Sequence, residues 1–319
     1  IQSQNSFSLH PFRNNFCRDP FCKSFYHSGL SDSRFSDQTR IVLGAPAQNL
    51  HQTIDLILSA DHRIQFSFCC LGTDFLPVSA EDMHERGWWW YDFLVVGGDA
   101  YVDHPSFGTA VIARVLEAEG YRVAVLCQPD WHSAEAFKAM GAPRLGVMIG
   151  AGNLDSMVAH YTAAKHRRRE DFYSPGKKTG LRPDRAVIVY ANRAREAFGA
   201  EMPIVIGSLE ASLRRFAHYD YWEDKVRRSV IFDAKADLLV YGMGEYATIE
   251  IAKALKKKRP VSELHDIRGT AYIAKEAPAE AVMLPSYEDV CRSRKSYAEA
   301  TRIEYAEHDP VRGRAMAQA

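Results

Sequence analysis

Asp92-Phe-Leu-Val-Val-Gly-Gly98 is an apolar run closed by paired glycines, and residues 108–120 beyond it place Val111, Ile112, Val115 and Leu116 on one helical face. A buried strand, a glycine loop and an amphipathic helix make one βα unit. The pattern repeats along the chain. Tyr121-Arg-Val-Ala-Val-Leu-Cys127 reads as a second strand, Ser133 caps a helix through Met140, and Arg144-Leu-Gly-Val-Met-Ile-Gly150 reads as a third strand. Residues 154–166 follow as a crossover helix. Asp184 caps a helix over 185–198, Pro203-Ile-Val-Ile-Gly207 and Ala236-Asp-Leu-Leu-Val-Tyr-Gly242 supply strands four and five, and residues 246–258 close the last unit. Gly120 suits the left-handed residue that ends a helix. Apolar strands alternating with amphipathic helices predict an α/β fold with a doubly wound, mainly parallel, five-stranded Rossmann-like sheet.

The 319 residues, 46% hydrophobic, are ample for a large core. Lys plus Arg and Asp plus Glu each number 40, so no global charge excess indicates nucleic acid or an anionic membrane, and any basic site must be local. No apolar run reaches membrane-spanning length, and no apolar stretch follows a basic start as in a secretory leader, so a cytoplasmic protein is expected. The six cysteines, Cys17, Cys22, Cys69, Cys70, Cys127 and Cys291, imply no disulfide framework, and the Cys17/Cys22 pair lacks a second pair at zinc-site spacing. Residues 1–74 show no sustained periodicity beyond the short stretch Ile54-Asp-Leu-Ile-Leu-Ser-Ala60. They are expected to be disordered or a non-native upstream extension.

Ligands in open parallel sheets bind at the carboxyl ends of the strands, so four glycine loops carry the candidate site. They contain Gly97, Gly98 and Gly108; Gly150 and Gly152; Gly207; and Gly242 and Gly244. Glycine admits close backbone approach, and the following helix offers unpaired N–H groups to an anion. None of the loops matches the G-x-G-x-x-G or Walker A pattern. Tight packing explains each loop taken singly, whereas four together favour a pocket. Asp103 and His104 stand in the first loop, where the imidazole could ligate a metal or corrinoid cobalt, serve as acid or base, or simply bond the backbone. Glu210 and Glu245 begin helices, where capping competes with function. These residues form the candidate cofactor-binding set.

Leu213-Arg-Arg-Phe-Ala-His-Tyr-Asp-Tyr-Trp-Glu-Asp-Lys-Val-Arg-Arg228 packs four arginines among acids and aromatics. Arg214, Arg215, His218, Tyr219 and Trp222 are candidates for binding substrate, since guanidinium forks suit carboxylate or phosphate and aromatic faces stack on planar groups. An internal ion-pair network is the equal alternative. The basic run at 166–169 and that at 256–259 are both expected at helix carboxyl ends, complementing the dipole. Residues 167–183, rich in charge and chain breakers, are either an ordered lid or a floppy insertion.

From Phe75-Leu-Pro-Val-Ser-Ala-Glu-Asp-Met-His-Glu-Arg-Gly-Trp88 onward the sequence resembles the YgiQ-type radical S-adenosylmethionine (SAM) family. The resemblance is carried further by Gly98-Asp-Ala-Tyr-Val-Asp-His-Pro-Ser-Phe-Gly108, Gln128-Pro-Asp-Trp131, Ser174-Pro-Gly-Lys-Lys-Thr-Gly180, Leu213-Arg-Arg-Phe-Ala-His-Tyr-Asp-Tyr-Trp222 and Asp309-Pro-Val-Arg-Gly-Arg314. It implies a cobalamin-binding-like amino-terminal domain over residues 75–260, and a linker over 261–319 leading toward a radical SAM barrel in cis. In that family a C-x3-C-x2-C triplet holds a [4Fe–4S] cluster that SAM chelates. The present sequence lacks the triplet, so the barrel is expected beyond Ala319 and the chain is expected to be inactive alone. Cobalamin is a further cofactor that the resemblance suggests, although Asp103-His104 departs from the D-x-H-x-x-G spacing of corrinoid-ligating domains. The substrate, small molecule or macromolecule, is left open. The alternative is a stand-alone corrinoid- or nucleotide-binding module without catalysis.

Overall fold

The computed structural model describes residues 75–309 and 312–319; the expectations for 1–74, including the Cys17/Cys22 pair, lie outside the described residues. An opening helix α1 (Ala80–Glu85) leads into β1 (Phe93–Gly97), and the chain then runs through α2 (Gly108–Ala118), β2 (Val123–Cys127), α3 (Glu135–Lys138), β3 (Gly146–Ile149) and α4 (Ser156–His160). After a long loop come α5 (Ala186–Phe198), β4 (Ile204–Ile206), α6 (Ser208–Leu213), and the hairpin of β5 (His218–Asp220) and β6 (Lys225–Arg227). The described chain ends with α7 (Val230–Ala234), β7 (Leu238–Val240), α8 (Glu245–Lys256), β8 (Thr270–Ala271), β9 (Val282–Met283), α9 (Tyr287–Arg292), α10 (Arg294–Ala306) and β10 (Met316–Ala317).

The central sheet has the order β2-β1-β3-β4-β7-β8. All five expected strands are present and mutually parallel, and a sixth, β8, is added antiparallel at the β7 edge. The five-strand count is corrected accordingly: Thr270 and Ala271 form too short a run to show a strand period, and pairing with Val240 and Leu239 makes them one.

Register explains the two cores. Val125, Val95, Met148, Val205 and Leu238 are neighbours across the sheet and all enter one apolar cluster, with Ala113 and Leu116 of α2 and Ile251 and Leu255 of α8. The next row, Leu126, Val96, Ile149, Ile206 and Leu239, packs on the opposite side with Phe137 of α3, Tyr190 and Ala194 of α5, and Ile231 of α7. Side chains alternate across a strand with a period of two, so parallel strands in register give each face a continuous apolar surface, and helices cover both.

Three helix expectations fail at their ends. The helix expected from the Ser133 cap through Met140 is only the single turn Glu135–Lys138, with Ala134 rather than Ser133 at its N-cap. The helix over 154–166 stops at His160, because Tyr161 turns extended and pairs with Arg167 in an antiparallel bridge. The run at 166–169 therefore lies in a loop rather than at a helix end; of that run, Arg168 alone closes the last turn of α4, donating Nε to the carbonyls of Val158 (3.1 Å) and Tyr161 (3.2 Å). Asp184 does not cap α5. Arg185 takes that place in a left-handed conformation (φ 51°), and Asp184 instead accepts from Nδ1 of His160 (2.6 Å) and the Tyr161 hydroxyl (2.7 Å).

Residues 261–319, expected as a linker, carry structure of their own. Val290 of α9 and Ala300 of α10 bury against Ala217, Val226, Tyr287 and Tyr297. The short parallel pair β9 and β10 closes this unit, and Gln318 accepts from the Ala217 amide at 2.7 Å.

Candidate functional site

In the order β2-β1-β3, successive crossovers leave β1 and β3 for opposite faces, so the crevice beyond their carboxyl ends is the expected ligand position. Gly97, the last residue of β1, and Gly150, Gly207 and Gly242, just beyond β3, β4 and β7, do stand along one rim. What fills the crevice at the β1/β3 point is protein. Arg182, fully buried, donates Nη1 to Asp99 Oδ1 (2.7 Å) and to the Ala151 carbonyl (3.0 Å), while Nη2 forks onto Asp171 (2.9 and 2.8 Å). Asp99 also accepts from the Asn153 amide at 2.6 Å. Burial pushes the Asp99 carboxyl up to about 6, against the pull of the neighbouring Arg182 guanidinium.

The segment 167–183 is thus an ordered lid. The Ala100 amide donates to the Tyr173 carbonyl (2.8 Å), and the Gln128 side chain ties the Gly98 carbonyl (3.0 Å) to the Ser174 hydroxyl (2.6 Å). Close approach accounts for two of the glycines. A Cβ on Gly98 would fall 2.1 Å from the Ala151 carbonyl oxygen, and one on Gly152, at φ +105°, would fall 2.1 Å from Asp99 Oδ1. Gly97 similarly faces Thr109 and Cys127, Gly150 faces Ser208, and Gly244 faces Val240. Gly207 has ordinary contacts, Gly242 sits at φ +70°, and Gly108 is open.

The remaining candidates divide into separate groups. Asp103 is buried and receives Nε of Arg114 (3.0 Å), whereas His104 accepts the Ser106 amide on Nδ1 (3.1 Å) and burial lowers its basicity. The Gly108 amide, first in α2, donates to Asn153 Oδ1 at 3.3 Å. Glu210 is buried and accepts the amides of Ser156 (2.9 Å) and Val187 (3.0 Å), so it caps α4 and α5 rather than its own helix; burial raises its pKa. Glu245 is half-buried at the first position of α8.

The arginine-rich segment is heavily paired. Arg214 meets Asp155, Arg215 meets Glu304 (3.2 Å), and Arg227 meets Asp233 (2.7 Å) and Glu223 (3.0 Å). Arg228 also reaches Asp233 (3.1 Å). His218 turns to the backbone: its Nδ1 lies 3.1 Å from the Phe216 carbonyl, and burial lowers its pKa. Tyr219 is exposed and donates its hydroxyl to Asp224, while Trp222 packs on Tyr161 with ring centres 5.1 Å apart. Two of the five reach the glycine rim: Arg214 also donates to the Glu210 carbonyl at 3.1 Å, and Arg215 donates to the Ser212 carbonyl (2.8 Å) with its guanidinium 5.3 Å from the Tyr241 ring. Sequence reading missed Asp99, Asp171, Arg182 and Ser208. Only the last leaves a backbone mark: Ser208 holds φ +69° just after β4, and its hydroxyl accepts the Ala151 amide at 3.1 Å.

Residues 75–319 match the family model "Radical SAM N-terminal". A UPF0313 protein of Clostridium botulinum (strain Loch Maree / Type A3) is 53% identical over 247 residues, covering 77% of this chain and 38% of that protein. The chain belongs to the radical SAM N-terminal family. A UPF0313 protein of Clostridium perfringens (strain 13 / Type A) is likewise 52% identical over 247 residues, covering 76% of this chain and 37% of the relative. No solved structure matches this radical SAM N-terminal chain. It spans less than two fifths of the length of these relatives.

The [4Fe–4S] cluster and SAM implied by the family find no fitting ligand set among the described residues. Among the described residues no three His, Cys, Asp or Glu side chains converge to hold a metal. The free cysteines described are Cys127, whose thiol burial pushes up, and the exposed Cys291. Among the described residues no helix is long and apolar enough to cross a membrane.

Proposed function

We propose that residues 75–319 form the amino-terminal accessory domain of a radical SAM enzyme, presenting substrate to a catalytic domain in cis that supplies the [4Fe–4S] cluster and SAM. The observation carrying this reading is the family match over 75–319 within relatives of which it occupies 38%, which leaves most of each relative's length for a further domain. The rim adds support. Leu209 and Leu213 of α6 and Met243 beyond β7 are large exposed apolar side chains, and the Gly242 amide donates to Ser212 Oγ at 3.2 Å, holding the Met243 loop against α6. Grouped exposed apolar side chains mark surfaces that another domain covers.

The test is reconstitution of a full-length UPF0313 relative with iron and sulfide, followed by dithionite and SAM. Production of 5′-deoxyadenosine by the full-length protein, and none by the present chain, is the expected result. A full-length relative that binds no cluster ends the reading.

The competing class, a stand-alone corrinoid- or nucleotide-binding module, is disfavoured by the Arg182 side chain lying between the β1 and β3 loops and by the engagement of Asp103 with Arg114. Titration of the chain with hydroxocobalamin is expected to leave the corrinoid spectrum unchanged. A shifted spectrum would favour that module instead.

A further inference from the structure

The loop after α4 carries Lys165, His166, Arg167, Arg168 and Arg169 in succession, all exposed, and Lys178 is exposed further along. The loop is built rather than slack. The Thr162 amide donates to the His166 carbonyl (2.9 Å), the Lys165 amide to that of Thr162 (2.9 Å), and the Arg168 amide to that of His160 (2.7 Å). The Asp171 amide donates to the Lys177 carbonyl (3.1 Å), which brings the two basic stretches together.

Its charge is unusual for this chain. With 40 basic and 40 acidic residues, cations generally find acids, as Arg182, Arg185, Arg195, Arg214 and Arg227 do. Among the described residues, however, no carboxylate lies within ion-pair distance of Lys165, Arg167, Arg168, Arg169 or Lys178. Asp184, whose charge Arg167 feels, and Glu170, 4.0 Å from Lys177, offset only part of this cluster; holding the remaining like charges together is unfavourable, and an external polyanion relieves it.

Aromatic faces adjoin the cations. Tyr221 is 47% exposed, its hydroxyl donates to the Ala163 carbonyl (2.6 Å), and Lys165 Nζ sits 4.7 Å from its ring. Trp222 meets Tyr221 edge-on at 5.3 Å, and Phe172 is 43% exposed with Lys177 Nζ 5.1 Å from its ring. Cations interleaved with exposed rings are what a single nucleic acid strand requires, charge for its phosphates and flat surfaces for its unstacked bases. Acidic peptides and lipid headgroups need the charge but not the rings.

We infer that this loop, with Tyr221 and Trp222, binds single-stranded nucleic acid. The inference does not depend on the accessory role proposed above, and its assay reads neither cluster nor SAM chemistry.

Fluorescence anisotropy of the full 319-residue chain with a labelled single-stranded RNA of about 15 nucleotides tests it. Binding is expected to weaken with salt, and the triple variant Lys165→Gln, Arg167→Gln, Arg169→Gln to bind about tenfold more weakly. Its log–log salt slope should be shallower by about 2, at roughly 0.7 for each phosphate that the variant no longer neutralises. Tyr221→Ala is expected to weaken binding several-fold at unchanged slope, as removal of a stacking surface does. Circular dichroism melts establish that each variant is folded, and the salt dependence of the unaltered chain is a readout independent of any variant. Absence of binding, or equal binding by the triple variant, overturns the inference. So does equally tight binding of heparin or of phosphatidylserine vesicles combined with no effect of Tyr221→Ala, which would leave only unspecific attraction to polyanions.

Discussion

Arg182 Nη1 lies 2.7 Å from Asp99 Oδ1, an ion pair between residues 83 positions apart that closes the crevice at the carboxyl ends of β1 and β3. Both side chains are buried, and the same guanidinium forks onto Asp171. Removing one member of a buried pair leaves the others charged and desolvated. Arg182→Met should therefore destabilise the domain by about 3–5 kcal/mol, read as a lower denaturant midpoint. Arg182→Lys should recover only part of this, because a single ammonium cannot fork onto Asp171 while also reaching Asp99 and the Ala151 carbonyl. A Met variant as stable as the parent would remove Arg182 from its structural role.

Asp99 predicts a pH dependence. Burial, outweighing Arg182, raises its folded pKa to about 6, against roughly 3.9 in an unfolded chain. The folded state therefore holds the proton more tightly, and the contribution of Asp99 to stability is full below about pH 4 and lost as the pH rises through about 6. Compared with Asp99→Asn, the parent should lose on the order of 1–3 kcal/mol across that window. Parallel stability curves for the two proteins between those pH values would refute the shift.

Glu210 predicts an asymmetric response to conservative change. Its two oxygens accept amides at the starts of two helices, Ser156 and Val187. Glu210→Gln keeps the shape but turns an NH2 group toward one of those donors. A buried amide left unpaired costs about 1–3 kcal/mol, so thermal melting should show a clear loss despite the near-isosteric swap. An unchanged melting temperature would contradict the double cap.

The glycine loops separate packing from ligand binding. Gly98→Ala drives a Cβ into the Ala151 carbonyl and should destabilise by more than about 1 kcal/mol, a steric cost beyond ordinary surface substitutions. Gly108→Ala meets nothing within 4 Å at the first residue of α2, and should be neutral or stabilising by up to about 1 kcal/mol. Denaturation of the two variants side by side measures the contrast, and a reversed order would contradict the packing seen around Arg182.

The five parallel strands were legible because each is buried on both faces over most of its length and so reads as a short apolar run, closed by glycine in four of the five, as in Phe93-Leu-Val-Val-Gly97. Helices α2, α5 and α8 were legible from residues only a few positions apart. The end of α4 did not, since residues 161–166 are compatible with helix, and the pairing of Tyr161 with Arg167 overrides that preference. Strand β8 was hidden because two residues carry no period.

The sequence by itself determined the alternation of strand and helix, the faces each buries, the rim along which the glycines gather, and the family resemblance from Phe75 onward. Those features rest on residues a few positions apart or on long specific motifs. The tertiary structure alone decided that Arg182 sits between Asp99 and Asp171, that Glu210 caps two other helices, and that the basic run at 165–169 stands in an exposed loop beside Tyr221. The partners in these contacts are separated by as many as 83 residues, and such distances are closed by strand order and layer packing, which no local spacing encodes.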